Sequence, residues 1–380
     1  MKYDYNQEIE ILEISYQQAI ELIKNKKLSK INEEIKASVD IFIQKIETDK
    51  SLIQLIITTL LKKIIKPDQD IRLHMAKFPN GYSARVLDTK VTTPFFKINF
   101  PRYANKETAF LTKATRAEII WNFQEGIKLP LRSKSLVEPF LKLIDKIENQ
   151  VIDIEECLIY ILAQLYLLSQ SHEVVFSETL KIANYANTIN INTVIKMVKR
   201  HFEQPLSSRL PVIVMFAVYK QLFPTMKRFK NKILLPLNVH TSADKHGYGD
   251  IEISNQNNTP FEVLEIKHNI PIDKNMILDI VKKSANTTIE RYYILTTYKE
   301  CFLNEEEEEY INNLILNIKK DTGLEIIANG ILHTLKYYLR FVEDYHEFIN
   351  TYTEELIIDA KNSTEVKDSH IKAWQMILQE

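Results

Sequence analysis

Along roughly the first 65 residues, apolar side chains recur at helical spacing opposite lysines and glutamates, a pattern that predicts two or three helices. The texture changes between Ile71 and Phe100. There RLHMAKFPNGYSARVLDTKVTTPFFKINF is β-branched and aromatic and carries an Asn-Gly pair, so strands and a turn are predicted. Helical patterning resumes from about Lys113 and runs through LVEPFLKLIDKIENQ and IDIEECLIYILAQLYLLSQS. No internal repeat of fixed period is evident.

The second half alternates. SSRLPVIVMFAVYKQLF predicts a near-continuously apolar helix with Ser207 and Ser208 as caps and Pro211 in its first turn. KILLPLNVHT reads as a strand and leads into the polar loop SADKHGYG. Two more strands, Asp250 to Ser254 and Phe261 to Lys267, flank the turn-rich NQNNTP. Pro271 and Asp273 introduce a helix to about Ser284, and RYYILTT reads as a buried strand. A helix from Asn304 to Lys320, a strand over LEIIANG and one long helix over ILHTLKYYLRFVEDYHEFINTY complete the pattern. The order from Pro211 to Thr297 is thus α-β-β-β-α-β.

A chain of 380 residues can bury two or three cores, and its composition is that of an ordinary globular protein. With 6 Gly and 12 Pro, long linkers are not expected. Two cysteines, Cys157 and Cys301, exclude a disulfide framework and a multi-cysteine zinc site. The N-terminus is acidic and polar without a signal-peptide core, and the longest greasy run is broken by Lys62 and too short to span a bilayer. A cytoplasmic protein with no membrane partner is expected. The net charge of −1 hides an asymmetry: 34 Lys+Arg against 25 Asp+Glu up to Lys230 (+9), then 15 against 25 (−10). A polyanion-binding arm beside a carboxylate-rich, metal-binding part would produce this, as would helical surfaces that simply differ in charge.

The candidate chemistry lies in GDIEISNQNNTPFEVLEIKHN. Strand side chains alternate faces, which puts Glu265 and Lys267 on one face and Leu264 and Ile266 on the other. The preceding strand, folded back alongside, can bring Asp250 to the face of Glu265. Two carboxylates form a hard oxygen site of the kind that holds Mg²⁺, and Lys267 supplies a cation for an attacking water or a phosphoryl oxygen. That is equipment for hydrolysing a phosphodiester. Acid-x-Lys alone is weak, occurring five times here. Asp88-Thr-Lys90, with Asp70 upstream in strand-like sequence, is the main competitor, but only Glu265-Ile-Lys267 has both a hairpin partner before it and a helix and strand after it. Phe261 and Val263 share its expected face, which makes that face half apolar. By the same alternation Glu252 falls on the face of Asp250 as an accessory carboxylate, and Glu262 points away. His268 follows Lys267 on the other face, where a structural role competes with assisting proton transfer. His240 and His246, flanking the loop before Asp250, match no standard zinc spacing.

Asp250, then 14 residues, then Glu265-Ile-Lys267, within α-β-β-β-α-β, resembles the PD-(D/E)XK nuclease superfamily. QPLSSRLPV, HTSADKHGYGDIEI, FEVLEIKHNIPID, RYYILTT and NGILHTLKYYLR are similar to segments of bacterial type II restriction endonucleases, as is GYSARVLDTKVTTPFF nearer the N-terminus. The similarity runs from about Asn80 to Thr353. It departs from the superfamily pattern at Gly249, where proline is nominal. The resemblance implies an α/β fold: a restriction-endonuclease-like core with a mixed central sheet flanked by helices over residues 204–380. A largely helical region over residues 1–203, with a strand-containing segment near 71–100, would embrace DNA and add recognition contacts. It implies Mg²⁺-dependent, site-specific cleavage of double-stranded DNA, usually by a homodimer, in a restriction-modification system with a cognate methyltransferase. Asp250, Glu265 and the Ile266 carbonyl would ligate the metal and Lys267 would position the water. Another DNase of the superfamily, methylation-dependent or devoted to repair, and a non-catalytic DNA-binding protein on the same fold are the alternatives.

DNA contacts need cations for phosphates and Arg, Lys, Asn or Gln for base edges. The candidates are Arg85, Lys90, Arg102, Lys106, Lys113 and Arg116, together with Ser207, Ser208 and Arg209 before the apolar helix and Lys245 in the loop leading to Asp250.

Overall fold

A computed structural model of the chain describes residues 4–183, 189–238 and 247–380. These divide into two compact units. One runs up to Val174 and takes in Lys361–Thr364; the other comprises Val175–Ala360 and Glu365–Glu380. The division falls within the helix Ile154–Ala183 rather than after residue 203. The reason lies in packing: Phe176, Ala183, Val194, Val198 and Phe202 all join the core of the second unit.

Among its described residues the first unit has helices and turns but no strand. Three helices, Asn6–Lys24, Glu33–Ile43 and Ile46–Ile65, account for the opening pattern. The third is buried on nearly every side from Leu52 to Leu61, as a helix apolar all round must be. The strands expected near 71–100 are not formed. Ser83 caps a short helix, Ala84–Leu87, a π-helical turn covers Asp88–Thr92, and Pro94 opens a further helix, Thr93–Asn99. Of the β-branched residues that suggested strands, Thr93 serves a different purpose, as a donor to Asp88. Asp88 is wholly buried and accepts from Gln54 (2.8 Å), Thr58 and Thr93 (3.2 Å each), the Ala109 amide (2.7 Å) and Thr108. A buried carboxylate needs such donors, and satisfying it outweighs local β-propensity.

The second unit holds one five-stranded mixed sheet in the order β1-β2-β3-β4-β5. β1 (Lys232–Leu234), β2 (Ile251–Asn255) and β3 (Pro260–Lys267) pair antiparallel. β3, β4 (Arg291–Thr296) and β5 (Glu325–Gly330) run parallel, linked by helices Lys274–Ser284 and Glu305–Thr322. The order α-β-β-β-α-β is therefore observed from the helix Leu210–Leu222 to β4. β1 is shorter than expected because Pro236 has no N–H to extend the ladder, and His240 and Thr241 lie outside the described residues. The long C-terminal helix is two, Ile331–Leu339 and Tyr345–Asn362, the second opened by Asp344 accepting from His346 N at 2.8 Å.

The sheet is buried on both faces. Leu264, Ile266, Tyr293 and Leu295 meet Leu210–Leu222 and the C-terminal helices, while Val263, Tyr292, Ile294 and Ile326 meet Ile277, Ile280, Ile311 and Ile318. Phe261 joins the first cluster rather than the face of Val263, next to the irregular register at Ser254. Arg228 and Lys232 lie over its ring. No described helix is long and apolar enough to cross a membrane.

Candidate active site at the open end of the β2–β3 hairpin

The hairpin places the chemistry. Its ladder ends at the pair Ile251 and Leu264, after which the Asp250 amide still donates to the Leu264 carbonyl at 2.8 Å. Here the backbone of β2 leaves the sheet, and the Asp250 side chain takes over. Oδ2 accepts from the Ile266 amide at 2.7 Å, where a neighbouring strand would have offered a carbonyl. The N–H and C=O of one strand residue point to the same side, so the Ile266 carbonyl is directed into the opening that Asp250 borders. Gly249 permits this close exit. A Cβ there would stand 2.5 Å from Val263 Cγ1 and 2.7 Å from the Leu264 carbonyl oxygen. A residue with a side chain at this position would therefore clash with β3.

Glu265 and Lys267 share one face of β3, as alternation requires, with Lys267 Nζ 2.5 Å from Glu265 Oε1. The other oxygen, Oε2, has Lys283 Nζ and the Tyr292 hydroxyl each at 3.5 Å. The Tyr292 hydroxyl makes its shorter bond, 2.5 Å, to the Tyr248 carbonyl. Glu252 lies on the same side but is committed to the loop before Asp250. Its Oε1 accepts from the Tyr248 amide at 2.7 Å and the Gly249 amide at 3.4 Å. It braces the loop that carries Asp250 rather than standing free as an accessory ligand.

Burial and mutual repulsion both act on the carboxylates here. Burial, and after it the neighbouring Glu265 carboxylate, push the Asp250 pKa up to about 6, against the Ile266 amide, Lys267 and Arg209, which pull it down. Burial and the same carboxylates push the Tyr292 hydroxyl well up, so it stays a proton donor. Two carboxylates and a directed backbone carbonyl are hard oxygen donors, and a carboxyl raised by burial and by its neighbour is one that a divalent cation would relieve. The residues fit Mg²⁺.

The remaining sequence candidates separate clearly. Glu262 points away, buried, accepting from the Tyr219 hydroxyl (2.7 Å) and from Arg228 (2.9 and 3.1 Å). His268 is a strut: Nε2 meets Ser207 Oγ at 3.0 Å, Nδ1 meets Thr297 Oγ1 at 2.9 Å, and burial lowers its pKa. Ser207 and Arg209 are buried and not open to phosphate. Ser207 donates to the Phe202 carbonyl, while Arg209 pairs with Asp359 (2.7 Å) and holds the Asn238 carbonyl (2.8 Å). Ser208 is exposed, and neither serine caps the helix, which starts without a side-chain cap. Arg102 is buried against Glu47 and the Ser363 carbonyl, which leaves it unavailable as a candidate phosphate contact. Arg85, Lys90, Lys113 and Arg116 are exposed, and Lys106 is half-buried. The competing pair dissolves, since Asp88 is buried and Lys90 exposed. His240, Lys245 and His246 lie outside the described residues.

Sequence reasoning misses Lys283 and Tyr292. In sequence Tyr292 is one more buried strand aromatic. Lys283 has a faint signal, standing three residues after the core residue Ile280 and four after Asp279, on the flank of the buried helix face. Compared with known protein families and with curated proteins, the chain matches no family model and no curated relative.

Proposed function

We propose that the chain is a Mg²⁺-dependent endonuclease that hydrolyses phosphodiester bonds of double-stranded DNA. The observation that carries this reading is the meeting of Asp250, the Ile266 carbonyl, Glu265 and Lys267 at the one place where β2 leaves the sheet. Asp250, Glu265 and the Ile266 carbonyl would hold Mg²⁺, which supplies charge to a phosphate and acidity to a water when bound. Lys267, tied to Glu265, holds an ammonium beside that water and neutralises charge developing on the phosphoryl oxygen. Lys283 and Tyr292 approach the second oxygen of Glu265 only at 3.5 Å. The resemblance to type II restriction endonucleases extends the reading to cleavage at a short recognition sequence, by a homodimer, alongside a methyltransferase that protects the host's DNA.

Incubating the purified chain with plasmid and Mg²⁺ tests it. Discrete bands are expected from wild type, while Lys267→Ala should cut roughly 10²-fold more slowly or worse and bind duplex within a few-fold of wild type. A smear would keep the nuclease and remove the site specificity. A mobility shift without cleavage would leave a binding protein, and wild-type cutting by Lys267→Ala would overturn the assignment of the site.

A further inference from the structure

Lys283 occupies an ambiguous position. It stands in the last turn of the helix Lys274–Ser284, with Nζ 3.5 Å from Glu265 Oε2 and 3.1 Å from Asp279 Oδ2, one turn back on the same helix. Lys267 differs, with one contact to Glu265 Oε1 at 2.5 Å from the same strand. Glu265 is mostly buried, whereas Lys283 is about one-third exposed, so its four-carbon stem has room to move.

On the nuclease reading, on which this inference rests, Glu265 must make room for a cation. A divalent ion held by this carboxylate must take an oxygen, and Oε2 is the one held only by long contacts, 3.5 Å to Lys283 and 3.5 Å to Tyr292. Tyr292 loses little, because its shorter bond to Tyr248 is independent of Glu265. Lys283 would face a like charge a few ångströms away, and Asp279 offers it an alternative partner.

We propose that Lys283 is an exchangeable counter-ion of the site: a divalent cation at Glu265 displaces its ammonium, which then takes a DNA phosphate. Cation and Lys283 compete for Glu265, and cation and DNA cooperate through Lys283. The coupling is reciprocal, so DNA should tighten cation binding to the same degree.

The experiment uses the full chain with Ca²⁺ as the divalent probe and a short duplex. Calorimetry without DNA should show Lys283→Gln binding Ca²⁺ roughly three- to tenfold more tightly than wild type, the size expected for removing one partly screened charge. In a Glu265→Gln background the same change should have no effect. With Ca²⁺ present, the salt slope of duplex binding should fall by about one in Lys283→Gln, since one phosphate goes unneutralised, and should not change in EDTA. Equal Ca²⁺ affinities, or a slope change that ignores Ca²⁺, would overturn the exchange while leaving the nuclease reading intact. If Glu265→Gln binds Ca²⁺ as wild type does, the metal site itself falls, and the exchange falls with it.

Discussion

At Asp250 two demands on one carboxyl oppose each other. Its Oδ2 must accept from the Ile266 amide to close the hairpin, while burial and Glu265 penalise its charge. A pKa raised from 3.8 to about 6 means that the folded state holds the proton more tightly than the unfolded chain. The associated stability is fully present below pH 3.8 and is lost as pH rises through 6. Asp250→Asn keeps an oxygen for the amide and removes the charge. At pH 8, without divalent ions, it should be more stable than wild type in urea melts, by at most about 3 kcal/mol, and towards pH 4 the two should converge. Added Mg²⁺ at pH 8 should stabilise wild type alone, through mass action on the folded state. A variant less stable than wild type at pH 8 would mean that the carboxylate is a net structural asset and the site is not charge-strained.

The β2–β3 hairpin follows from alternation along its strands. Alternation in β3 assigned Glu262 to one face and Glu265 and Lys267 to the other, because a strand buried on both faces leaves polar residues only where something answers them. The same logic failed at Ile71 to Phe100, where Thr93 donates to the buried Asp88 carboxylate from a helical turn and Thr92 accepts from Thr58. Partners distant in sequence, Gln54 and Thr108 among them, decide that segment, and no local window contains them. Likewise, Arg102 and Arg209 pass for surface cations in sequence because their carboxylates, Glu47 and Asp359, lie 55 and 150 residues away. Gly249 is a test of the element itself. Gly249→Ala forces Val263 or the Leu264 carbonyl to yield, at a cost of about 1–3 kcal/mol, the usual range for overpacking. Since the Asp250 amide is bonded to that same carbonyl, cleavage should fall further than stability explains. Measured cutting at the wild-type rate, with melting lowered or not, would show that the close exit of β2 does not place the carboxylate.

For the whole molecule the charge distribution sets a constraint that no single residue reveals. The chain carries +9 up to Lys230 and −10 beyond it, and the candidate site lies in the acidic stretch. Duplex DNA is held chiefly by neutralising phosphates, so on the proposed function an acidic part that binds metal would gain little affinity by itself. The cations would have to come from elsewhere, and with Arg102 buried in an ion pair, the exposed candidates of the first unit are Arg85, Lys90, Lys113 and Arg116. Changing these four to alanine should leave melting nearly unaltered, because exposed side chains away from caps and cores contribute little. Duplex binding should weaken evenly across sequences, with a salt slope lower by about 0.9 for each phosphate no longer neutralised, hence by at most about 3.6. Ca²⁺ affinity measured without DNA should not change, which separates weaker phosphate binding from damage to the carboxylates. If slope and affinity match wild type, the basic half owes its charge to ordinary helical surfaces and the phosphates are met by the second unit alone.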